Sequence, residues 1–142
     1  MTPDLDRALC ERYPLMFAER SQPMTKTAMF WGFDCDDGWY TLIDTLCTAL
    51  QQETDSGNAP QVVATQVKEK YGGLRFYVHS ASQRQMAMID FAESLSERTC
   101  EICSFPGTQN QDDWVRTRCK GHNDPPNRKE PENPCAPNAN VL

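Results

Sequence analysis

The feature that most constrains this chain is a set of four potential metal ligands near its C-terminus. Cys100 and Cys103 form one pair, Cys119 and His122 form another, and 15 residues separate the two pairs in a C-x2-C-x15-C-x2-H pattern. Zn2+ in structural sites takes four tetrahedral ligands from thiolate and imidazole groups. Because the protein fills all four positions, the pattern predicts one structural zinc ion per chain. The alternative is that the cysteines are buried thiols and His122 is a surface residue.

Cysteine usage, hydropathy and charge indicate the cellular compartment and the kinds of partner expected for this chain. The chain has seven cysteines, and its first residues include acidic groups and no apolar segment. An odd cysteine count without a secretory signal favours a reducing cytoplasm and a metal site over a disulfide framework. No stretch approaches the roughly 18–20 consecutive apolar residues of a membrane span. The formal net charge of -6 disfavours bulk nucleic-acid binding, because phosphate contacts reward basic surfaces.

Three helices are indicated by cap residues and by apolar periodicity. The cap residues are Thr2 for the first helix, Asp36 or Asp37 for the second and Ser82 for the third. Pro14 ends the first helix, because the residue before a proline is pushed out of helical geometry. From Trp39 to Leu50, apolar residues recur with the spacing of one helical face. The third helix is predicted over residues 83–98.

Between the second and third helices, the sequence predicts a β-hairpin. Residues 61–70 are rich in β-branched side chains, and residues 74–80 alternate between apolar and polar positions. Gly72 and Gly73 lie between them and supply the positive φ of a tight turn. A sheet of two strands is marginal alone. Either the helices cover it, residues 14–36 add a strand, or it pairs with a second chain.

These elements predict an α+β fold in which the hairpin packs on two or three helices. The α+β core covers residues 1–98, a zinc knuckle packed on it covers residues 99–122, and a Pro-rich tail covers residues 123–142. The tail is predicted to be disordered, because it has almost no large apolar side chains to repay the entropy of ordering. Residues 29–33 are too apolar for a solvated loop, so we expect them to pack on the core.

Two regions carry side chains suited to ligand binding. An aromatic loop over residues 31–40 supplies rings that can stack on a base, and the polar face of the hairpin supplies cations that can contact phosphate. The candidate ligand-binding residues are Trp31, Trp39, Tyr40, Lys70, Arg75, Tyr77 and His79. Lys68 joins them if the strand register places it on the same face. The competing interpretations are a core role for the aromatic rings and a solvated hairpin face.

An acidic cluster lies in the same aromatic loop. Asp34, Asp36 and Asp37 suit a divalent cation, but their spacing is not that of a calcium loop, and helix capping accounts for at least one of them. His79 is a potential general base, yet no nucleophile or partner stands in a recognisable arrangement with it. We therefore assign no catalytic residues and favour a binding protein over an enzyme. A metal-dependent nuclease or phosphodiesterase using these four residues is the enzymatic alternative.

Several motifs together resemble a family of small uncharacterised proteins encoded by tailed bacteriophages and prophages. The likeness covers about residues 8–122 and rests on these segments: Trp31-Gly32, Cys35-x-Asp37-Gly38-Trp39-Tyr40-x-Leu42-Ile43, Lys70-Tyr71-Gly72-Gly73-Leu74-Arg75-Phe76-Tyr77, and the four predicted zinc ligands. Family members often have glycine after the second cysteine of the knuckle, where this chain has Ser104.

The resemblance implies a setting and no mechanism. It implies a viral protein made in the cytoplasm of the bacterial host, where such small proteins often counter host defence. Together with the candidate residues, it favours a non-enzymatic accessory protein that sequesters a ligand, such as a nucleotide-type immune signal. The first alternative is a zinc-stabilised interaction module that inhibits or recruits a host protein through the region around Trp114 or through the tail. Whether the protein forms a homo-oligomer is left open.

Overall fold

The computed structural model describes residues 1–123, and its α+β architecture confirms the predicted fold class. The helices are α1 (Pro3–Arg12), α2 (Tyr40–Asp55) and α3 (Gln83–Ser96). The strands of the main sheet are β1 (Phe33–Asp34), β2 (Val63–Lys70) and β3 (Gly73–His79), in the order β1-β2-β3. A second, two-stranded sheet consists of β4 (Thr108–Gln109) and β5 (Thr117–Arg118).

The predicted hairpin is formed by β2 and β3. The two residues between the strands, Tyr71 and Gly72, have φ values of 54° and 75°. Positive φ at both positions matches the turn that follows the natural twist of a hairpin. Gly73 is instead the first residue of β3 and does not have positive φ, so the expectation that it supplies positive φ to the turn is wrong. The register places Lys68 opposite Arg75, so these two cations share one face of the sheet. Residues 14–36 add β1, which pairs with β2 in parallel and completes a three-stranded sheet.

Helices α1 and α3 begin where the sequence predicts, directly after Thr2 and Ser82, but of the predicted caps only Ser82 forms its side-chain bond. Ser82 and Gln85 form a reciprocal capping box at the start of α3, as the predicted cap requires. Neither Thr2 nor the acidic pair before α2 makes a side-chain cap bond. A short 3-10 turn precedes α2 instead, and the Asp37 carboxylate accepts a hydrogen bond from the backbone N–H of Thr2 at 2.7 Å. The capping role expected for Asp37 is therefore wrong, because α1 occupies its carboxylate.

Helix α3 covers the outer edge of β3. The backbone N–H of Leu74 donates to Ser96 Oγ at 2.7 Å, and the N–H of Phe76 donates to Glu93 Oε1 at 2.8 Å. An edge strand with free N–H groups is a template for pairing with another chain. Because α3 uses two of these donors, the helix rather than a second chain completes this side of the sheet.

The hydrophobic core lies between the sheet and the helices. The Phe17 ring packs edge-on against Phe33 and Phe76, with centroid distances of 4.9 and 6.3 Å. The expectation that residues 29–33 pack on the core holds for Met29 and Phe33 but is wrong for Phe30 and Trp31, whose side chains are exposed. A turn of 3-10 helix over Ala28–Trp31 points these two rings away from the interior while the flanking residues remain buried.

Nearly all of the predicted tail lies outside the described residues, which end at Asn123. Within residues 1–123, no helix combines the length and the apolar character that a membrane crossing requires.

Candidate metal centre and ligand cavities

The structure brings together the four residues that the sequence predicts as metal ligands. The ligand atoms of Cys100, Cys103, Cys119 and His122 all lie within 4.8 Å of one another. His122 Nδ1 is 3.5 Å from Cys100 Sγ and 3.3 Å from Cys119 Sγ, and the sulfurs of Cys103 and Cys119 are 3.6 Å apart. Disulfide sulfurs are separated by only about 2.05 Å, so these cysteines form a cluster without a disulfide.

The separations fit one ion at the centre of a tetrahedron. With metal–sulfur bonds of about 2.3 Å and metal–nitrogen bonds of about 2.0–2.1 Å, the edges of a tetrahedron are about 3.8 Å between sulfurs and about 3.6 Å between sulfur and nitrogen. The three distances given above lie close to these lengths. The cluster can therefore bind a metal with four protein ligands and no open position.

The local backbone prepares the first pair of cysteines for this role. The N–H of Cys100 donates to Phe105 O at 2.7 Å, and the N–H of Ser104 donates to Cys100 O at 2.9 Å, which closes the turn that holds both sulfurs. Burial raises the pKa of the Cys100 thiol, but hydrogen bonds from surrounding backbone N–H groups and from His122 outweigh it and leave the pKa below its ordinary value. A lowered thiol pKa favours the thiolate, which is the form that binds metal.

Ser104 directly follows the second cysteine of the knuckle. Its φ is 66°, in the left-handed region that favours glycine. The Ser104 hydroxyl donates to Gly38 O at 2.5 Å, and this contact with the core offsets part of the backbone strain. The serine side chain thus adds a bond between the knuckle and the core.

The start of α2 is the main docking point for the knuckle. Glu101 O accepts the N–H of Gly38 at 2.7 Å, and Glu101 Oε1 accepts the N–H of Asp36 at 3.0 Å. The Trp39 indole N–H donates to Thr99 O at 2.9 Å. A side chain at Gly38 would place its Cβ only 2.4 Å from Glu101 O, so only glycine fits there. Burial raises the pKa of the Glu101 carboxyl, which this docking removes from water.

The hairpin turn is a second docking point. Thr117 Oγ1 donates to Gly72 O at 2.5 Å, and Gln109 Nε2 donates to Tyr71 O at 3.3 Å. A Cβ at Gly72 would approach Val115 Cγ1 to 3.0 Å. Gly72, which the sequence assigns only to the turn, therefore also allows the knuckle to lie close to the core.

The acidic cluster does not form a metal site. Asp36 pairs with Arg118 at 3.6 Å, Asp37 bonds to Thr2, and Asp34 is exposed. Within residues 1–123, the Cys/His cluster is the one group of three or more potential ligands close enough to share an ion. The His79 side chain contacts a different acid, since its Nε2 lies 3.4 Å from Glu19 Oε1. The arrangement that a nuclease or phosphodiesterase would require is therefore not assembled from these four residues.

Three of the candidate ligand residues line one cavity. Arg75, Tyr77 and His79 follow one another on the same face of β3 and border a cavity of about 740 Å³. Lys26 and Asp90 contribute opposite charges to its lining. Glu19 and Glu93 also line it, but each already has a partner, His79 for the first and the Phe76 N–H for the second.

The other candidate residues lie elsewhere. Trp39 is completely buried in the core, so its ring has no exposed face for a ligand. Tyr40 packs against the core from the start of α2. Trp31 is 68% exposed and borders a separate cavity of about 510 Å³ with Arg20. Lys70 lies at the hairpin turn, with its ammonium 5.4 Å from the Tyr71 ring centroid. The aromatic loop and the hairpin face therefore do not form one site.

Sequence reasoning missed the residues that join the knuckle to the core, chiefly Gly38, Glu101 and Thr117. The pairing of Gly38 with Trp39 signals close packing, but nothing local identifies Glu101 as its partner.

No protein family, no curated protein and no solved structure matches this chain in the comparisons with known proteins.

Proposed function

We propose that this chain is a non-enzymatic phage accessory protein, stabilised by zinc, that captures a small nucleotide-type ligand in the cavity beside β3. The observation that carries the proposal is the convergence of Arg75, Tyr77 and His79 on that cavity. Its volume of about 740 Å³ falls in the range of about 300–1,000 Å³ that small-molecule sites occupy. The phage resemblance supplies the setting, in which the captured ligand is an immune signal of the bacterial host.

The chemistry of the lining suits a nucleotide better than a simple anion. Arg75 and Lys26 supply positive charge for a phosphate, and the half-exposed ring of Tyr77 supplies a stacking surface for a base. Asp90 adds a carboxylate that can accept hydrogen bonds from the amino groups of a base. A bare phosphate would gain nothing from this carboxylate, whereas a nucleotide can use both charges.

The ligand types support zinc as the metal. Three thiolates with one imidazole suit zinc, whereas magnesium and calcium prefer oxygen ligands. Native mass spectrometry of protein from bacterial cells tests this and the capture together. We expect a mass excess of one zinc per chain plus a ligand of a few hundred daltons. An excess of zinc alone would leave the metal assignment intact and remove the support for capture in cells.

Binding is tested with Arg75→Ala, using Arg84→Ala as the matched control. Arg84 is also an arginine with a solvent-exposed side chain, but it pairs with Glu53 at 3.3 Å and does not line the cavity beside β3. Titration calorimetry with the ligand released from the purified protein should show at least a roughly tenfold weaker Kd for Arg75→Ala, equivalent to about 1.4 kcal/mol. Equal affinity of the folded Arg75→Ala variant and the wild type would contradict the proposal.

A second candidate function is favoured by the exposed aromatic surface near the knuckle. Trp114 is 68% exposed with the Arg116 guanidinium 5.7 Å from its ring centroid, and Tyr71 is 71% exposed beside Lys70. Aromatic residues and arginine are the types that most often anchor protein interfaces. This surface suits a module that inhibits or recruits a host protein.

The interaction function is tested by capturing host proteins with Trp114→Ala and with Trp31→Ala. Both tryptophans are 68% exposed, so the two changes remove equal surface at different places. Loss of one specific partner with Trp114→Ala alone would support the interaction surface. Retention of every partner by Trp114→Ala would count against it.

A further inference from the structure

The cavity beside β3 is lined by side chains of contrasting chemistry from two elements. Strand β3 supplies the Arg75 guanidinium, the Tyr77 ring and the His79 imidazole, whereas α3 supplies the carboxylates of Asp90 and Glu93. A ligand in this cavity therefore meets hydrogen-bond acceptors as well as cations. Because a carboxylate accepts hydrogen bonds and cannot donate them, it limits which bases can be bound.

Of the three acids that line the cavity, Asp90 is the one with both carboxylate oxygens available. Glu93 Oε1 accepts the N–H of Phe76 at 2.8 Å, and Glu19 Oε1 lies 3.4 Å from His79 Nε2. Among the described residues, none forms a hydrogen bond or an ion pair with the exposed side chain of Asp90. Asp90 can therefore accept two hydrogen bonds side by side from one ligand.

A carboxylate with two available oxygens distinguishes the bases by their donors. Guanine has its N1–H beside its 2-amino group, so two donors point outward along one edge. Adenine and cytosine have a ring nitrogen beside their amino group, and the lone pair of that nitrogen would face the carboxylate. Uracil and thymine have one N–H between two carbonyl oxygens. Of the common bases, guanine alone gives a carboxylate two hydrogen bonds without a repulsive contact.

The charges of the cavity limit the phosphate part of the ligand. Among the described residues that line it, the cations Lys26 and Arg75 stand against the carboxylates of Glu19, Asp90 and Glu93. A triphosphate would bring several negative charges to a lining that has more carboxylates than lysine and arginine side chains. A phosphodiester carries a single negative charge, which these cations can neutralise. The cavity therefore suits a nucleotide whose phosphate is a diester.

Building on the proposed capture function, we propose that the captured ligand is a guanine nucleotide with a phosphodiester and that Asp90 recognises its base. The N1–H and the 2-amino group of guanine donate to the two oxygens of Asp90, and the base stacks on Tyr77. The phosphodiester contacts Arg75 and Lys26. Asp90 thus determines which base is bound, whereas the two cations contribute to the affinity for every nucleotide.

Calorimetric titration of the full, zinc-loaded chain with cyclic GMP and cyclic AMP tests this base preference. Both probes are purine nucleotides with the same phosphodiester, so they differ only in the groups on the base. We expect the wild type to bind cyclic GMP about tenfold more tightly. Asp90→Asn should lose this preference, because an amide offers one donor and one acceptor, which is the pattern that matches adenine. Asp4→Asn, which changes an exposed carboxylate on α1 outside the cavity, should keep the preference.

The outcomes separate this proposal from the capture function on which it rests. Equal affinity of the wild type for the two probes, or an unchanged preference in the folded Asp90→Asn variant, would overturn the role of Asp90 and leave nucleotide capture intact. Binding of neither probe to the wild type would contradict the capture function itself, and the choice of guanine with it.

Cyclic IMP tests the 2-amino group by itself, because its base keeps the N1–H of guanine and lacks that group. The wild type should bind cyclic IMP about fivefold more weakly than cyclic GMP, since one hydrogen bond to Asp90 is lost. In Asp90→Asn the difference between the two probes should be smaller, as expected when the group and its partner are removed together. Equal affinity of the wild type for cyclic GMP and cyclic IMP would overturn the proposed contact.

Discussion

The α+β core and the knuckle that carries the Cys/His cluster differ in what can stabilise them. The core buries a continuous cluster of 19 apolar residues, which includes side chains as large as Trp39 and Phe76. In the knuckle, residues 99–122, the large apolar side chains Ile102, Phe105 and Trp114 are all exposed. Two of its buried residues are instead metal ligands, Cys100 and Cys119. Burial of large apolar side chains therefore stabilises the core and contributes much less to the knuckle.

The boundary between the two regions shows how they depend on each other. The knuckle reaches the core through backbone hydrogen bonds at Gly38 and Gly72, where the absence of a side chain permits close approach. Each such bond contributes only about 0.5–1.5 kcal/mol. These bonds fix where the knuckle sits, and we expect a metal bound by its Cys/His cluster to supply most of the stability that they do not.

Removing one of the four predicted metal ligands should have the largest effect on the stability of the knuckle. Structural zinc contributes on the order of 10 kcal/mol of apparent binding free energy, and this energy is available only to the folded knuckle. We expect Cys119→Ser to lose most of its bound zinc and to unfold residues 99–122 locally. Hydrogen exchange should show rapid exchange of the knuckle amides while β2 and β3 stay protected.

Cys10→Ser is the control for this change, because Cys10 lies on α1, outside the metal cluster. It should retain one zinc per chain and normal protection of the knuckle. If Cys119→Ser instead kept its knuckle amides protected, the contacts with the core would be enough to stabilise the knuckle, and the metal would not be needed to fold it.

A smaller effect is expected where the core meets the knuckle, at Trp39. Trp39→Phe removes the hydrogen bond to Thr99 O and leaves unfilled volume in the core. The lost bond and the cavity together should lower the free energy of unfolding by about 2–3 kcal/mol. Trp31→Phe, on the exposed ring of the same loop, should change it by less than about 0.5 kcal/mol. Urea denaturation of both variants measures the difference in the free energy of unfolding. Equal effects would mean that the contacts of Trp39 with the core and with Thr99 do not stabilise the fold.

Features that depend on short stretches of chain could be predicted from the sequence. The spacing of Cys100, Cys103, Cys119 and His122 identifies the metal cluster, because two ligand pairs of this type suit few other structures. The hairpin follows from alternation and adjacent glycines, and α3 follows from its cap at Ser82. In each case, the residues that determine the structure are close neighbours along the chain.

Features that depend on distant contacts could not be predicted. Strand β1 has only two residues, which is too short for an alternating pattern, and its pairing with β2 is set by tertiary packing. The different environments of Trp31 and Trp39 also depend on packing, although Trp39 begins the apolar face of the second predicted helix and this signal favours burial. The partners of Gly38 and Gly72 lie more than 40 residues away, so no local pattern indicates them.

The pKa values of the cysteine thiols also differ between the core and the knuckle. Burial, together with nearby carboxylates, raises the pKa of Cys35 to about 12, and burial with Asp6 raises that of Cys10 to about 11. In the knuckle, the pKa of Cys100 is lowered despite its burial. The core thus holds its thiols protonated, while the knuckle favours the thiolate.

The smallest predicted effect follows from the raised pKa of Cys35. In the unfolded chain its thiol ionises near pH 9, whereas in the folded core it stays protonated to about pH 12. Between these values the unfolded state binds fewer protons, so the free energy of unfolding falls as pH rises. Cys35 should account for roughly 1–2 kcal/mol of the loss between pH 9 and 10.5. Urea denaturation of the wild type and of Cys35→Ala under reducing conditions measures this share. The variant should lose stability less steeply over that interval, and parallel pH profiles would mean that Cys35 ionises as readily in the core as in the unfolded chain.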